Sequence, residues 1–293
     1  MSGFDNKLIF NVDKDYDGSD VKTFLRKKHG VSSRLIKKLK TQQNGILLNG
    51  ERVFVTHFLS EGDIVTLNLP QKQTSVVSSK MNVNVLYEDE YIIVFDKPSN
   101  MTVHPVHEYV DNTLANFAMY YAQQKGESYI FRAVNRLDRD TSGCVLCAKN
   151  AYTANLLKNK VHKTYYAVCE GDIAQSGTVN KQIALKPDSK IVRCIVESGG
   201  KPSVTHYKPI KRDGKHTLLE ITLETGRTHQ IRVHMSAVGH PLAGDDLYGG
   251  SMEYIKRQAL HCGKLIIDLP IYKAPVTVES PLPKDLRMIF CGN

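Results

Sequence analysis

A polar stretch at residues 71–82 constrains this fold more than any other feature, because it divides the chain into two unequal parts. It begins QKQTSVVSSKM, is short of large apolar residues, and is typical of a linker. A chain of 293 residues is long for one compact core and sufficient for two. We therefore predict a small domain over residues 1–70, a linker over residues 71–82 and a larger domain over residues 83–293.

The larger part shows the periodicity of strands more often than that of helices. In KHTLLEITLE, the apolar residues Leu219, Ile221 and Leu223 alternate with polar ones, as in a half-buried strand. Apolar runs on either side of the acidic turn 88–90 predict a β-hairpin, and THQIRVHMSAVG predicts a helix that ends at Gly239. Helices are interspersed irregularly, so we predict an α+β fold with a mixed, mainly antiparallel sheet and flanking helices.

The small part carries a dense positive segment at residues 21–40, with eight lysines or arginines and no acid. Its apolar spacing predicts two short helices separated at Gly30, and two strand-like segments follow. Solvation of a charged helix face is the simplest explanation, but so many like charges repel one another, which favours contact with RNA. The residues assigned to this basic surface are Arg26, Lys27, Lys28, Arg34, Lys37, Lys38 and Lys40.

The net charge of the whole chain is +9, which indicates a polyanionic partner. On composition, nucleic acid is favoured over an anionic membrane. Every apolar run is too short to span a bilayer. The first residues alternate charged and apolar types and lack the apolar stretch of a signal peptide. We therefore expect a cytoplasmic protein without a membrane partner, and by default a monomer.

Six cysteines are scattered along the chain, and Cys144 and Cys147 form the only close pair. A CxxC spacing can indicate a zinc or redox site. These two cysteines lie in the apolar run GCVLCAK, where free cysteine commonly behaves as a small buried hydrophobic residue. We predict burial and no metal.

Two segments concentrate the polar residues that catalysis requires. In the first, Asn135–Gly143, charged and hydroxyl residues stand directly before an apolar strand, which is a suitable place for a catalytic group. Asp138 and Asp140 are open to three interpretations: an acid–base pair, two metal ligands, or simple turn residues.

The second segment is Glu224–His234, at a predicted junction between a strand and a helix. Arg227 is suited there to hold a carboxylate in a bidentate pair and keep it ionised. His229 and His234 are five residues apart, which is the wrong spacing for two metal ligands on one helix turn. We interpret the two histidines through polar contacts or partial burial.

Taken together, these segments resemble the RluA-type family of pseudouridine synthases over nearly all of residues 83–270. One departure is Asn135, which stands where the family usually has histidine; this affects fine positioning and not the reaction class. The matching segments are VLYEDEYIIVFDKPSNMTVHP, Asn135–Gly143 with the strand that follows, Lys163–Val168, Glu224–His234, Gly239–Pro241, Gly244–Asp245, Tyr248–Gly249 and Arg257–His261.

The small part resembles the S4 RNA-binding domain over residues 18–70, most specifically in its glycine turn GILLNG and its closing LSEGD. This second resemblance implies that the basic helices bind structured RNA. It also favours ribosomal RNA over transfer RNA as the substrate.

The family resemblance implies that the protein isomerises uridine in RNA, moving the ribose from N1 to C5 of the uracil. Asp138 would be the nucleophile, attacking either the sugar or the base, with Arg227 as its cationic partner. Tyr165 would stack on the uracil and assist proton removal. Arg136 would fill the space that the flipped base vacates.

This reaction involves no redox change and no phosphate transfer, so we expect no metal, nucleotide or flavin cofactor. Two other readings remain at this point. One is a non-catalytic, ribosome-associated RNA-binding factor, and the other is a Mg²⁺-dependent hydrolase or phosphotransferase that uses an aspartate nucleophile.

Overall fold

The computed structural model describes residues 7–69, 76–106, 110–127 and 130–290. Part of the predicted linker, residues 71–75, lies outside these ranges, and so do residues 1–6 at the start of the chain.

The N-terminal part of the chain forms a small antiparallel sheet of its own. Within the described ranges this sheet has four strands in the order β1-β4-β2-β3. The strands are β1 (Lys7–Asn11), β2 (Ile46–Leu48), β3 (Glu51–Arg52) and β4 (Ile64–Asn68), and the helical segments are a 3-10 turn (Lys14–Tyr16), α1 (Val21–Thr23), a π-helical turn (Phe24–Lys28) and α2 (Ser33–Leu39).

The two predicted helices form where the apolar spacing indicates. Val21, Phe24 and Leu25 are fully buried, although the first helix is α-helical for only three residues before it continues as a π-turn. Gly30 follows with a φ of +64°, a conformation that favours glycine and ends the first helix. The Ser32 hydroxyl then accepts a hydrogen bond from the Leu35 amide at 3.2 Å and begins α2.

The basic side chains of this part are mostly exposed, with one difference from prediction. Arg26, Lys27, Arg34 and three lysines of α2 and its C-terminus face solvent. Lys28 is instead half-buried, because its ammonium pairs with Asp13 and lies 5.3 Å from the centre of the Tyr16 ring. Lys28 is therefore committed to a contact within the protein.

The rest of the chain is organised around a large sheet. In the described ranges it has nine strands, in the order β5-β6-β7-β14-β8-β13-β12-β9, with β15 added to β14. These strands are β5 (Asn84–Glu88), β6 (Ile92–Lys97), β7 (Ser142–Ala148), β8 (Val161–Glu170), β9 (Gly177–Asn180), β12 (Val204–Arg212), β13 (His216–Leu223), β14 (Leu260–Ile267) and β15 (Val276–Glu279).

A separate hairpin of β10 (Gln182–Leu185) and β11 (Arg193–Val196) stands beside this sheet. The helical segments are α3 (Leu114–Gln124), α4 (Ala151–Leu156), α5 (Gln230–Ala237), a 3-10 turn (Asp246–Tyr248) and α6 (Lys284–Met288). Among the described strands of the large sheet, β7 and β14 form the one parallel pair. The predicted α+β class with a mixed, mainly antiparallel sheet is confirmed.

The local predictions for the larger part also hold. β5 and β6 form the expected antiparallel hairpin, and α5 ends before Gly239, whose φ is +87°. Cys144 and Cys147 are fully buried in β7 as free thiols, and burial raises the pKa of Cys144 to about 12. Both cysteines therefore serve as core residues, as predicted.

The small sheet and the large sheet meet through α4. Tyr152 is 3 % exposed and its ring lies 5.9 Å from that of Phe10 in the N-terminal core. The Asn155 amide donates to the Gly30 carbonyl at 3.0 Å. These contacts hold the basic helices beside the larger part of the protein. In the part of the chain that the structure describes, no helix is long and apolar enough to span a bilayer.

Candidate active site

Asp138 lies on the short loop that leads into β7, and this loop is tied to the strand at its start. Asn135 is buried; its amide nitrogen donates to the Cys144 carbonyl at 3.1 Å, and its oxygen accepts from the Leu146 amide at 2.8 Å. The asparagine thus satisfies one carbonyl and one amide of β7. In this way an asparagine fits at position 135, where the RluA-type family usually has histidine.

The Lys97 side chain also holds this loop in place, a role that was not predicted from the sequence. This residue ends β6 and is fully buried, and its ammonium donates to the carbonyls of Pro98, Met101 and Arg139 at 2.7–3.0 Å. Burial lowers the pKa of Lys97 to about 7, against the favourable charges of Asp140 and Asp138. The available signal was a lysine that follows the apolar run IIVF and Asp96 at the end of a predicted strand, since a lysine buried there must find acceptors.

Arg257 holds the other side of the loop. Its guanidinium donates to the Asp140 carbonyl at 3.1 Å and forms a bidentate ion pair with Asp285 at 2.7 and 3.0 Å. With Asn135 and Lys97, this arginine makes a catalytic loop whose backbone is fixed from three directions. Such rigidity suits a group that must meet a reacting atom within a narrow range of positions.

The side chain of Asp138 faces a small pocket in the middle of the large sheet. Asp138, Arg136, Tyr165, Arg227 and Arg232 all contribute to its lining, and its volume is about 60 Å³. The structure therefore brings together the four residues that sequence predicted for the site. Arg136 is exposed at the rim, and Tyr165 forms the buried floor.

The cation that contacts Asp138 is Arg232, which corrects the predicted pairing with Arg227. An Nη1 of Arg232 lies 3.5 Å from Oδ2 of Asp138. The same guanidinium forms a bidentate pair with buried Asp245 at 2.6 and 2.7 Å. Burial alone would lower the pKa of Arg232, but the hydrogen bonds and charge of Asp245, with the charge of Asp138, raise that pKa above its ordinary value.

The physical reason for this correction is the position of each arginine relative to α5. Arg227 precedes the helix on an exposed loop, and its Nε donates to the Pro202 carbonyl at 3.2 Å. Arg232 lies inside α5 on a buried face. The sequence held a signal for this, because an arginine within a predicted apolar helix face requires a carboxylate partner.

His229 completes the surroundings of Asp138. Its Nε2 is 3.8 Å from Oδ2 of Asp138, and its Nδ1 is 2.8 Å from the Tyr248 hydroxyl. Burial lowers the pKa of His229; the charge of Asp138 opposes this and that of Arg232 reinforces it, which favours a neutral ring. The Tyr248 oxygen also accepts from the Arg193 amide at 2.9 Å, so this hydroxyl takes part in two hydrogen bonds. Nε2 of His229 faces the Asp138 carboxylate at a distance longer than a hydrogen bond.

The remaining polar residues of the two segments have structural partners. Buried His234 contacts the Thr205 hydroxyl at 2.9 Å, in keeping with the predicted polar contact and burial. Asp140 forms an ion pair with the neighbouring Arg139 at 3.2 Å. Within the described ranges, no three His, Cys, Asp or Glu side chains converge in a way that would hold a metal ion.

Tyr165 reaches the pocket from the centre of the sheet. It lies on β8, opposite Ile221 of β13 and Cys262 of β14, and is 6 % exposed. Burial raises the pKa of Tyr165 well above its ordinary value, and the nearby Cys262 and Asp138 act in the same direction. The phenol therefore stays protonated, which favours a role in packing against a base over one as a phenolate.

We expect Tyr165→Phe to retain turnover within about tenfold, because the ring that would pack against a base is preserved. Tyr165→Ala, by contrast, should lower the free energy of unfolding by about 3–5 kcal/mol, since it removes a buried aromatic ring. Single-turnover kinetics and denaturant unfolding measure the two effects. A loss of a thousandfold or more in Tyr165→Phe would show instead that the hydroxyl takes part in the proton transfer.

The family model described as RNA pseudouridylate synthase matches residues 91–237. The chain is 38 % identical to the uncharacterized RNA pseudouridine synthase YjbO of Bacillus subtilis, over 90 % of this chain and 96 % of that protein. It is 36 % identical to ribosomal large subunit pseudouridine synthase D of Xylella fastidiosa, over 89 % of this chain and 84 % of that protein.

A solved structure shows the same relationship. The fold resembles that of human RNA pseudouridylate synthase domain containing 1, with a TM-score of 0.57 and 27 % identity over 72 % of this chain and 86 % of that one. The chain therefore belongs to the RNA pseudouridylate synthase family, in its RluA-type branch. It is an isomerase of the pseudouridine synthase class, which confirms the enzyme class predicted from the sequence.

Proposed function

We propose that this enzyme isomerises specific uridines of large-subunit ribosomal RNA, with Asp138 as the nucleophile. The observation that carries the proposal is the placement of the Asp138 carboxylate, which faces the pocket from a rigid loop, 3.5 Å from the Arg232 guanidinium. The choice of RNA rests on the similarity to ribosomal large subunit pseudouridine synthase D. The enzyme would act as a cytoplasmic monomer without a metal or nucleotide cofactor.

The proposed reaction conserves every atom of the nucleotide. The Asp138 carboxylate bonds to the target nucleotide, at the sugar or at the base, and the bond between N1 and the ribose breaks. The uracil turns so that C5 bonds to the ribose carbon, and the carboxylate is released. C5 then loses its proton to solvent and N1 gains one, so the product has the same atoms as the substrate. Arg232 places a positive charge beside the carboxylate throughout. Tyr165 packs against the uracil in the pocket.

The target nucleotide must leave its stack to reach Asp138, which costs a few kcal/mol. At about 60 Å³ the pocket is too small to enclose a nucleotide, since small-molecule sites typically measure roughly 300–1,000 Å³. The pocket is open to solvent, so part of the nucleotide would lie at its rim. Arg136 is exposed at that rim, and we assign it to the space that the base leaves in the RNA stack.

We further propose that residues 1–70 are an S4-like RNA-binding domain, joined through residues 71–82 to a catalytic domain at residues 83–293. The N-terminal part has its own sheet and an apolar core that is separate from the larger one and includes Tyr152 of α4, which supports this division. The proposed RNA surface consists of Arg26, Lys27, Arg34, Lys37, Lys38 and Lys40. Lys28 is left out because it pairs with Asp13.

Neutralising Lys37 and Lys38 together with glutamine should weaken RNA binding and flatten its salt dependence. Each phosphate contact contributes roughly 0.7–0.9 to the slope of log affinity against log salt, so the slope should fall by about one to two units. Turnover at saturating RNA should change little, because Asp138 lies in another part of the protein. Binding titrations at several salt concentrations measure the slope.

The matched control neutralises Lys273 and Lys284, which are also exposed but lie in the C-terminal part of the chain. Point variants are preferable to truncation, because removing the N-terminal part would expose buried Tyr152. Equal affinity and equal slope in the Lys37/Lys38 variant and the wild type would mean that the charge run is a solvated helix face.

The decisive test of the proposed function is to map pseudouridines in total RNA from cells with and without the gene. One or more pseudouridines should disappear from large-subunit ribosomal RNA and return with the wild-type gene, but not with Asp138→Asn. Loss from transfer RNA alone would overturn the choice of substrate. No change in any RNA would favour a non-catalytic RNA-binding factor.

A further inference from the structure

A second and larger cleft adjoins the Asp138 pocket on the opposite side of Arg227. We call it the side cleft; its volume is about 400 Å³, and it lies between the β10–β11 hairpin, residues 199–201 and residues 226–228. Arg227 lines both the side cleft and the Asp138 pocket. A ligand that extends from the pocket past this side chain would reach the side cleft.

One wall of the side cleft is rigid. Strand β10 is held on one edge by β11 and on the other by Lys201, which exchanges backbone hydrogen bonds with Ile183 at 2.9 and 3.0 Å. The Gly200 amide also donates to the side chain of Gln182 at 3.0 Å. The shape of the cleft is thus set by paired backbone and not by a loose loop.

Among the described residues that line the side cleft, the charged side chains are all positive: Arg193, Lys201 and Arg227. In the described ranges none of the three forms an ion pair, and Arg227 uses only its Nε, on the Pro202 carbonyl. Its two terminal nitrogens are left for a ligand. Leu185, 47 % exposed, gives the same cleft an apolar surface.

We propose that the side cleft binds the nucleotide next to the target uridine in the same RNA strand, an inference that rests on the proposed function. Arg227 and Lys201 contact its phosphate groups, and its base packs on Leu185. The volume suits this ligand, since small-molecule sites measure roughly 300–1,000 Å³. A nucleotide carries a negatively charged phosphate and an aromatic base. Cations beside an apolar surface therefore suit it, because the cations contact the phosphate and the apolar surface contacts the base.

Gly226 provides a way to block the cleft without disturbing the fold. A Cβ added there would meet no atom within 4 Å, and the backbone of Gly226 lies outside the left-handed region that only glycine adopts readily. Because Gly226 lines the cleft and an added Cβ would meet open space, Gly226→Val is expected to narrow the space assigned to the neighbouring nucleotide.

The test combines this variant with altered RNA. The substrate is the shortest RNA fragment in which the wild-type enzyme forms pseudouridine, and two altered fragments carry an abasic residue on the 5′ or the 3′ side of the target. We expect Gly226→Val and one of the two abasic fragments each to lower kcat/KM by about tenfold. Their combination should lose little more than either alone, because both remove the same interaction.

If the loss caused by Gly226→Val and the loss caused by the abasic residue multiply for both fragments, the proposal is overturned. Unchanged kcat/KM in Gly226→Val would also overturn it. Lys201→Gln, at an exposed position, gives a second test. It should lower kcat/KM by about tenfold and reduce the slope of log kcat/KM against log salt by the amount expected for one phosphate contact. An unchanged value in that variant would likewise count against the cleft. The unaltered fragment tests the proposed function itself. If the wild-type enzyme converts it, the outcomes for the variants bear on the side cleft alone.

Discussion

Asp138→Asn is expected to lower turnover by roughly four orders of magnitude or more, because the amide keeps the shape of the carboxylate and loses its nucleophilic charge. The protein should remain folded. The Asp138 side chain is 29 % exposed and contacts Arg232 only at 3.5 Å, so little stability depends on it. Single-turnover conversion of uridine at saturating RNA, with thermal unfolding in parallel, measures both properties.

Asp140→Asn is the matched control, two residues away on the same loop. Its carboxylate pairs with the exposed side chain of Arg139, and an exposed pair of this kind contributes about 0–1 kcal/mol. Turnover should therefore stay within a few fold of the wild type. A large loss in Asp140→Asn together with near-normal turnover in Asp138→Asn would exchange the roles of the two aspartates.

Secondary structure in this chain is predictable because its signals are local. Alternation in KHTLLEITLE follows directly from a strand with one buried face, and β13 runs from His216 to Leu223. The helix start at Ser32 and the turn at Gly239 depend on the backbone chemistry of single residues. The order of the strands in the sheet, by contrast, does not follow from local signals. The parallel neighbours β7 and β14 are separated by more than a hundred residues, and no local pattern specifies their pairing.

The site was predictable in its members but not in its contacts. Sequence motifs singled out Asp138, Tyr165 and Arg227, and all three line one pocket. They did not show which arginine meets the carboxylate, because that depends on the direction in which α5 faces. The anchor for Arg232 is Asp245, 13 residues further along the chain, and the bidentate pair between them exists only in the folded protein.

The same limit applies to the residues that hold the catalytic loop. Lys97 and Arg257 act on its backbone carbonyls at Arg139 and Asp140, and neither contact follows from sequence spacing. Side chains that bond to backbone leave no complementary residue type to look for. Preorganisation of Asp138 therefore depends on interactions that motif analysis does not reveal.

Arg232→Ala is expected to damage both stability and turnover, whereas Arg227→Ala should leave stability within about 0.5 kcal/mol of the wild type. Loss of Arg232 leaves the buried carboxylate of Asp245 without its partner, which costs about 3–5 kcal/mol. Arg232→Lys should also be impaired, because an ammonium cannot reproduce a fork that contacts two carboxylates. Denaturant unfolding and single-turnover kinetics measure the two losses separately.

A double variant separates the structural part of this effect from the catalytic part. Arg232→Met with Asp245→Leu removes both members of the buried pair, so much of the lost stability should return. Turnover should not return, because Asp138 still lacks the guanidinium that lies 3.5 Å from it in the wild type. Recovery of turnover along with stability would mean that Arg232 acts only through the fold. If Arg227→Ala instead proved the more destabilising change, the pairing with Asp138 predicted from sequence would have to be restored.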